Sequence, residues 1–420
     1  MMSHPRAGTG RRETAGPTRD AAASRGLLRL PVTMQWDGTT RRPSRRRHGA
    51  GWTLSAALWT LTALAASACG GMGTTSGDSP TTPTGPAVTA GAGSPASVAP
   101  ASPTPAPTPT PPATDLIAYA ATMDGNVVPV DVTTGRAEAP IPVDLRPEAI
   151  AITPNGRTAY VADAFAATVT PIDLTTGVAG AAISIASNSG ISSIAISPNG
   201  ATAYVAVVPA AQANGVVVPI DLATGTPEPG IPVGPDPIAI AITPDGSTAY
   251  VVDSGDGTIT PIALPSGTPD PRVAVGGNPV DIAITPDGSS AYVMDGLNAG
   301  AVIPIRLSAN PTHDVVDRAI SEVSGEAEAI AIAPDGDRAV VVGGTGASLI
   351  SLPSGAQLGA TISGSFTAVA ITPDGTAALL GFAGGTGSSP GVLPEKLSTG
   401  TAGAPIVLSG EPVAVAFRPS

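Results

Sequence analysis

The sequence predicts an all-β fold built from repeats, and three observations lead to that prediction. One stretch, centred on a Pro-Asp-Gly or Pro-Asn-Gly triplet, occurs six times after residue 115, with the prolines of successive triplets 39 to 48 residues apart. Each repeat contains several short apolar runs separated by turn-forming residues, and the two ends of the repeat region look like parts of one repeat. A period near 40 residues with several strands per unit is typical of a β-propeller or a solenoid.

One repeat contains four predicted strands. Its first apolar run is continuous, too short for a globular helix and bounded by turn formers, so we expect a strand buried on both faces. The turn at 243–246 has Pro at its second position and Gly at its end, as in a type I turn. The next run is β-branched and aromatic, which favours a second strand. The predicted strands of this repeat are 239–243, 248–252, 258–264 and 272–275.

The chain ends decide between an open solenoid and a closed ring. The repeat region begins at Leu116 with the second and third strands of a repeat, and it ends with Glu411–Ser420, which matches only a first strand. The two fragments complete one blade, and such sharing closes a propeller and hides its edges. We therefore predict a seven-bladed β-propeller of four-stranded antiparallel blades over 116–420, closed by pairing 411–420 with the N-terminal strands.

The motifs YVAD, YVAV, YVVD and YVMD, at 160–163, 204–207, 250–253 and 292–295, each follow one of these turns. They resemble the YVTN-type β-propeller repeat of exported, YncE-like proteins, and the resemblance covers Leu116–Ser420. Val340 and Leu379 stand where the other repeats have Tyr. The resemblance implies a propeller exported from a bacterial cell. It implies no single activity, because that family includes surface proteins and binding proteins.

The N-terminal residues 1–68 predict a secretory signal peptide, whose true start we place at Met34. A basic segment that includes Arg45–Arg47 precedes an apolar segment and small residues that end before Cys69, which is the pattern of a signal sequence. Cys69 is the only cysteine in the chain, so it forms no internal disulfide, and a bacterial lipobox resembles the residues before it. We predict that Cys69 carries a lipid; ordinary cleavage and secretion, or an uncleaved anchor, are the alternatives.

Residues 69–115 are rich in Gly, Ser, Thr, Pro and Ala and almost uncharged. Such a segment cannot bury a core, and its Pro-rich part predicts an extended spacer. The expected organisation is a lipid-anchored propeller held away from the outer face of the bacterial membrane.

Charge and composition exclude several function classes. After residue 68 the chain holds 9 basic and 29 acidic residues, a formal net charge of −20, which repels nucleic acid phosphates. All three tryptophans precede Cys69, and His313 is the only histidine after it. A Ser-His-Asp triad needs a histidine among convergent partners, and the chain has no P-loop or dinucleotide motif. We expect no cofactor and no nucleic acid partner.

Departures from the repeat pattern are the candidate functional positions. Asp281 enters its first strand where five other repeats have Ala and one has Ser193. A carboxylate buried in that run needs a partner, and Asp253, Asp295 and Glu328 occupy the same end of the fold on adjacent blades. Oxygen ligands of this kind suit calcium, so these four acids form the predicted metal set. Asp163 repeats the position of Asp253 and Asp295, which indicates a structural role for those two.

Two functions follow as expectations. The first is a non-enzymatic, monomeric binding or scaffold protein that engages a surface protein or glycan through the loops around the channel. The loops between second and third strands are lengthened there, at 209–215, 296–300 and 383–391. The alternative is a metal-dependent hydrolase or lactonase with a cation held by carboxylates at the channel mouth.

Overall fold

The computed structural model describes residues 116–419, except 145, 186–188, 211–213, 297–299, 323–326 and 386–387. The predicted signal peptide, Cys69 and the spacer lie outside the described residues. The described residues form seven small antiparallel sheets arranged in a ring, which confirms the predicted seven-bladed propeller. No helix in this part of the chain has the length and apolar character needed to cross a membrane.

Each blade has an inner, a second, a third and an outer strand. Blade 1 begins the described chain with β1 (Ile117–Thr122), β2 (Asn126–Asp131), β3 (Arg136–Ala137) and β4 (Ile141–Pro142). Blade 2 comprises β5 (Pro147–Ile152), β6 (Thr158–Asp163), β7 (Thr168–Asp173), β8 (Val178–Ala179) and β9 (Ile183–Ser184). Blade 3 comprises β10 (Ser189–Ile196), β11 (Thr202–Pro209), β12 (Val216–Asp221), β13 (Thr226–Pro227) and β14 (Ile231–Pro232).

The second half of the ring repeats this order. Blade 4 comprises β15 (Pro237–Ile242), β16 (Thr248–Asp253), β17 (Thr258–Ala263), β18 (Thr268–Pro269) and β19 (Val273–Ala274). Blade 5 comprises β20 (Pro279–Ile284), β21 (Ser290–Asp295), β22 (Ala301–Arg306), a turn of 3-10 helix (Pro311–His313), β23 (Val315–Val316) and β24 (Ile320–Glu322). Blade 6 comprises β25 (Ala327–Ile332), β26 (Arg338–Gly343), β27 (Gly346–Ser351) and β28 (Ile362–Ser363). Blade 7 comprises β29 (Phe366–Ile371), β30 (Ala377–Phe382), β31 (Gly391–Lys396), β32 (Thr401–Ala402) and β33 (Ile406–Val407), and β34 (Pro412–Phe417) returns to blade 1.

The ring closes as the sequence predicts. The C-terminal β34 pairs antiparallel with β1, with Ala118 opposite Phe417 and Ala120 opposite Val415. The amide of Met123 also donates to the carbonyl of Glu411 at 2.9 Å. Each inner strand contacts the inner strand of the next blade, and the cycle ends where it began, at β34.

The outer strands differ from the prediction of one continuous strand at 272–275. In blade 4 the outer strand is split into β18 and β19, which both pair with β17. Pro261 lies in the middle of β17 and its carbonyl accepts the amide of Asp270 at 2.9 Å. A proline has no N–H to donate in return, so pairing with the outer strand stops there. A third-strand proline occupies this place in every blade but blade 6, where the residue is Leu349. The outer strand of blade 6 is interrupted as well, with a single bridge between Ile350 and Gln357 before β28, so the proline is not the only cause.

The turns follow the predicted geometry. The amide of Gly246 donates to the carbonyl of Thr243 at 2.8 Å, and Gly246 has a φ of 72°. The Asp245 carboxylate accepts the Ser247 amide at 3.0 Å. The turns that follow the third strands of blades 1 to 3 each begin with an aspartate whose carboxylate accepts a backbone amide of the turn, as expected. These residues therefore have a structural role: Asp131, Asp173 and Asp221.

The blade topology gives the propeller two faces. The turn face carries the Pro-Asp/Asn-Gly turns and the turns after each third strand. The loop face carries the loops between second and third strands and the links that lead into each inner strand. Every acid of the predicted metal set lies toward the loop face.

Candidate functional site

The channel mouth on the loop face contains Asp281. Its two carboxylate oxygens accept backbone amides, one from Ile282 at 2.9 Å and one from Ile330 at 2.9 Å. Ile330 belongs to β25 and Asp281 to β20, so the carboxylate joins the inner strands of blades 5 and 6. Each inner strand is the edge strand of its sheet. Along such a strand, backbone amides point alternately toward the second strand and away from it. The amides of Ile282 and Ile330 point away from the second strand, toward the channel. Asp281 therefore accepts hydrogen bonds from two backbone amides that have no partner within their own sheets.

The other three acids of the predicted set occupy two different environments. Glu328 is exposed on β25, next to the strand that carries Asp281. Asp253 and Asp295 end second strands, lie opposite Pro237 and Pro279, and are buried inside their own blades. The Asp295 carboxylate accepts a hydrogen bond from the backbone amide of Asn278 at 3.1 Å. Within the described residues, no three His, Cys, Asp or Glu side chains form a group suited to a metal ion, and calcium at these four acids stays a prediction.

Two second-strand aspartates are fully buried with one oxygen unsatisfied. Asp163 and Asp253 are 0% exposed, and each accepts a threonine hydroxyl from the neighbouring third strand, Thr170 and Thr260 respectively. The second carboxylate oxygen of each has no hydrogen-bond partner. Burial raises the pKa of Asp163 to about 7 and that of Asp253 to about 6, because a low-dielectric environment disfavours the charged form.

A cavity of about 330 Å³ lies beside Asp295, between blades 4 and 5. Its walls are mostly apolar, including Val275, Ile303 and Val316, and Asp317 adds a second carboxylate. Asp317 is engaged elsewhere, since Arg306 donates two hydrogen bonds to it. The cavity thus holds one buried acid, Asp295, and one carboxylate that is paired with Arg306.

Glu395 is a residue that the sequence reasoning missed. It is 1% exposed, its Oε2 atom has no partner, and burial raises its pKa to about 7. The six other blades place a fully buried aliphatic residue at the same third-strand position, opposite a second-strand alanine: Val130, Ile172, Ile220, Ile262, Ile305 and Ile350. An alignment of the third strands alone would have identified it, because an acid replaces an aliphatic residue there.

Phe165 is the second missed residue. It lies in the loop between β6 and β7 on the loop face, and 78% of its surface is exposed. In the same loop Ala167 has a φ of 52°, where blade 1 and blade 4 have Gly125 and Gly257. Left-handed backbone costs a residue with a Cβ atom about 1 to 2 kcal/mol. This loop therefore combines an alanine in left-handed backbone with an exposed aromatic ring.

The three lengthened loops favoured by the sequence are described only in part, because 211–213, 297–299 and 386–387 lie outside the described residues. The loop of blade 2 is not lengthened, so loop length does not distinguish Phe165 from the other blades. Its signal was composition: Ala-Phe-Ala-Ala occupies a turn where blade 4 has Ser-Gly-Asp-Gly.

No protein-family model and no curated protein matches the chain. Among solved structures, the chain is similar to a functionally unknown protein from Desulfotomaculum acetoxidans DSM 771, at 15% identity over 73% of this chain and 100% of that one, with a TM-score of 0.61. It is also similar to a candidate 6-phosphogluconolactonase from Bacteroides uniformis ATCC 8492, at 19% identity over 72% and 99%, with a TM-score of 0.57. Kuenenia stuttgartiensis hydrazine synthase gives 20% identity over 64% and 89%, with a TM-score of 0.55. Likeness at these identities shows the propeller fold alone.

Proposed function

We propose that this protein is a non-enzymatic binding or scaffold propeller, exported to the cell surface, that engages a protein or glycan partner through its loop face. Phe165 is the observation that carries the proposal. Phe165 is the most exposed aromatic residue in the described part of the chain: the five tyrosines are 1% to 7% exposed, Phe366 is 3% exposed, and Phe382 and Phe417 are half-buried. Aromatic side chains are enriched in the anchors of interfaces, and Phe165 stands on the face that surrounds the channel.

A partner that covered Phe165 would gain apolar burial. Covering a phenylalanine side chain contributes roughly 1.5 to 3 kcal/mol, which the free protein forgoes at Phe165. Polar residues lie on the adjoining link, Asp144 and Arg146, and the Arg146 carbonyl accepts the backbone amide of Ala164 at 3.2 Å. An apolar anchor inside a polar rim is the usual anatomy of an interface.

Export and anchoring complete the proposal. The signal sequence, the single Cys69 and the Pro-rich spacer support a propeller held on the outer face of the membrane. A spacer of this composition gives the loop face reach and freedom to meet a surface partner. Secretion without a lipid is the alternative localisation.

The test is site-specific photocrosslinking in cells, with a photoreactive phenylalanine at position 165. Val178 provides a matched control, because it is an exposed apolar residue of the same blade, 60% exposed, next to a turn on the opposite face. We expect a discrete crosslinked product from position 165 and not from position 178. Phe165→Ala should weaken binding of that product, or of a glycan found by array screening, by roughly tenfold or more and leave the melting temperature unchanged. Equal crosslinking from both positions would contradict the proposal.

A lactonase is the second candidate, and it rests on Asp281 and Glu328 on neighbouring strands at the channel mouth. The similarity to a candidate 6-phosphogluconolactonase gives this reading a substrate class to screen. Proton release from a panel of lactones with added calcium measures the activity directly. Turnover that Asp281→Ala abolishes would replace the binding proposal with this one.

A further inference from the structure

The base of the Phe165 loop brings two carboxylates to one hydroxyl group. Asp163 precedes the loop and Thr168 follows it, and the two are paired across β6 and β7. The Thr168 hydroxyl donates to Asp144 at 3.0 Å. Thr168 and Asp144 both lie close enough to Asp163 to influence the pKa of its carboxyl group, and the Asp144 charge raises that pKa. Asp144, on the link between blades 1 and 2, and Asp163, at the end of β6, thus both lie close to Thr168.

Asp163 supplies a second, independent observation. The side chain is 0% exposed, Thr170 donates to one carboxylate oxygen at 2.9 Å, and Oδ1 has no hydrogen-bond partner. A buried carboxylate oxygen left without a hydrogen bond destabilises the folded state. Native structures seldom tolerate that cost, so an orphaned atom of this kind points to a bound water or ion.

Blade 4 contains the same kind of buried aspartate, whose Oδ1 atom also has no hydrogen-bond partner, but it has an ion-paired positive charge nearby that the described residues of blade 2 lack. There Asp253 takes the place of Asp163, and Thr258 donates to a second acid, Asp256, at 2.7 Å. Arg272 forms an ion pair with Asp256 and so brings a positive charge to the pair of acids. In blade 2 the residue equivalent to Arg272 is Ala182. Among the described residues, no Lys or Arg forms an ion pair with Asp144 or Asp163.

We propose that a hard divalent cation of the calcium class binds between Asp144 and Asp163 at the base of the Phe165 loop. Asp163 Oδ1, the Asp144 carboxylate and the Thr168 hydroxyl are its protein ligands, and water completes the shell. Calcium takes oxygen ligands of these types in flexible geometry, and extracellular sites hold it at about 10⁻⁴ to 10⁻³ M. The cation supplies the positive charge that Arg272 supplies to the acids of blade 4. This site differs from the channel-mouth set and stands independently of the proposed partner.

Calorimetric titration of the purified full-length protein with calcium chloride tests the site, with melting followed in calcium and in chelator. We expect one binding event and a melting temperature that rises with calcium, since a ligand of the folded state stabilises it. Asp144→Asn removes an exposed ligand and leaves folding intact, so it keeps the test valid if Asp163→Asn folds poorly. Each variant should weaken calcium binding by roughly tenfold or more. Asp256→Asn in blade 4 is the matched control and should bind as the wild type does.

Two outcomes would overturn the site. One is the absence of both heat and a calcium-dependent melting shift at about 10 mM calcium, well above the range expected of such sites. The other is retention of binding in Asp144→Asn together with its loss in Asp281→Ala, which would move the cation to the channel mouth.

Discussion

Replacing Glu395 by isoleucine should stabilise the protein at neutral and alkaline pH. The substitution installs the residue type that five other blades carry at this position, each 0% to 1% exposed. Glu395 has no hydrogen bond to Oε2, and burial alone raises its pKa to about 7. No charged neighbour contributes to that shift, so the folded state gains nothing from ionising this carboxyl group.

The size and sign of the effect follow from linkage. The side chain ionises near pH 4.5 when unfolded and near pH 7 when folded. Between these values the folded protein binds more protons, so the free energy of unfolding falls as pH rises and levels off above about pH 7. One pKa unit corresponds to about 1.4 kcal/mol, which gives a loss on the order of 2 to 3 kcal/mol after allowing for solvent screening. Burying an isoleucine instead adds roughly 1.5 to 3 kcal/mol.

Urea unfolding followed by circular dichroism, at steps from about pH 4 to about pH 8, measures the effect. Glu395→Gln isolates ionisation, because it keeps the shape of the side chain and cannot titrate. The stability difference between Glu395→Gln and the wild type should be small below about pH 4.5 and largest above about pH 7. Glu395→Ile should show the same pH-dependent difference added to a constant gain from apolar burial. Glu138→Gln, at an exposed position of blade 1, is the control and should show no such trend. A wild-type pH dependence unchanged by Glu395→Gln would refute the reasoning.

Three further predictions concern closure, the channel and export. Deleting Glu411–Ser420 removes β34 and unpairs β1; several apolar side chains worth roughly 1.5 to 3 kcal/mol each are then exposed, so the protein should aggregate or melt far lower, and unchanged melting would argue against closure through β34. Asp281→Ala leaves the amides of Ile282 and Ile330 to channel water and should lower the free energy of unfolding by about 1 kcal/mol; a loss above about 3 kcal/mol would indicate a buried charge pair instead. Cys69→Ser should abolish labelling by a fatty-acid analogue, and a soluble wild type with a free N-terminus would contradict lipidation.

The fold could be predicted from the sequence because its information is repeated. The register of each inner strand, the turn at 243–246 and the completion of blade 1 by β34 all follow from comparing one repeat with another. Such a comparison works for features that every blade shares, since shared residues build shared structure. The split outer strands were not predicted. In six blades a third-strand proline contributes to the split because proline cannot donate to a neighbouring strand, but blade 6 is interrupted without one.

The candidate site could be predicted only in part. Asp281 was identified as a departure from the repeat, but its acceptance of the Ile330 amide depends on how closely blades 5 and 6 approach, which no single repeat encodes. Phe165 and Asp144 were missed for a similar reason. Phe165 is exposed, and Asp144 lies near Asp163, because of how the β6–β7 loop packs against the link between blades 1 and 2. That packing cannot be read from one repeat.

Contacts between blades also explain why Glu395 is tolerated. In five pairs of neighbouring blades, a tyrosine of one blade packs in the same core cluster as the third-strand isoleucine of the next blade, as Tyr204 does with Ile262. Between blades 7 and 1 the pair becomes Leu379 with Val130. Blade 6 has Val340 in place of tyrosine, and blade 7 then has Glu395 in place of isoleucine. We infer that the smaller Val340 leaves room for the longer glutamate, so the two departures form one change in packing. On this inference the site has room for the glutamate chain, and its unsatisfied carboxyl oxygen remains a net cost to stability.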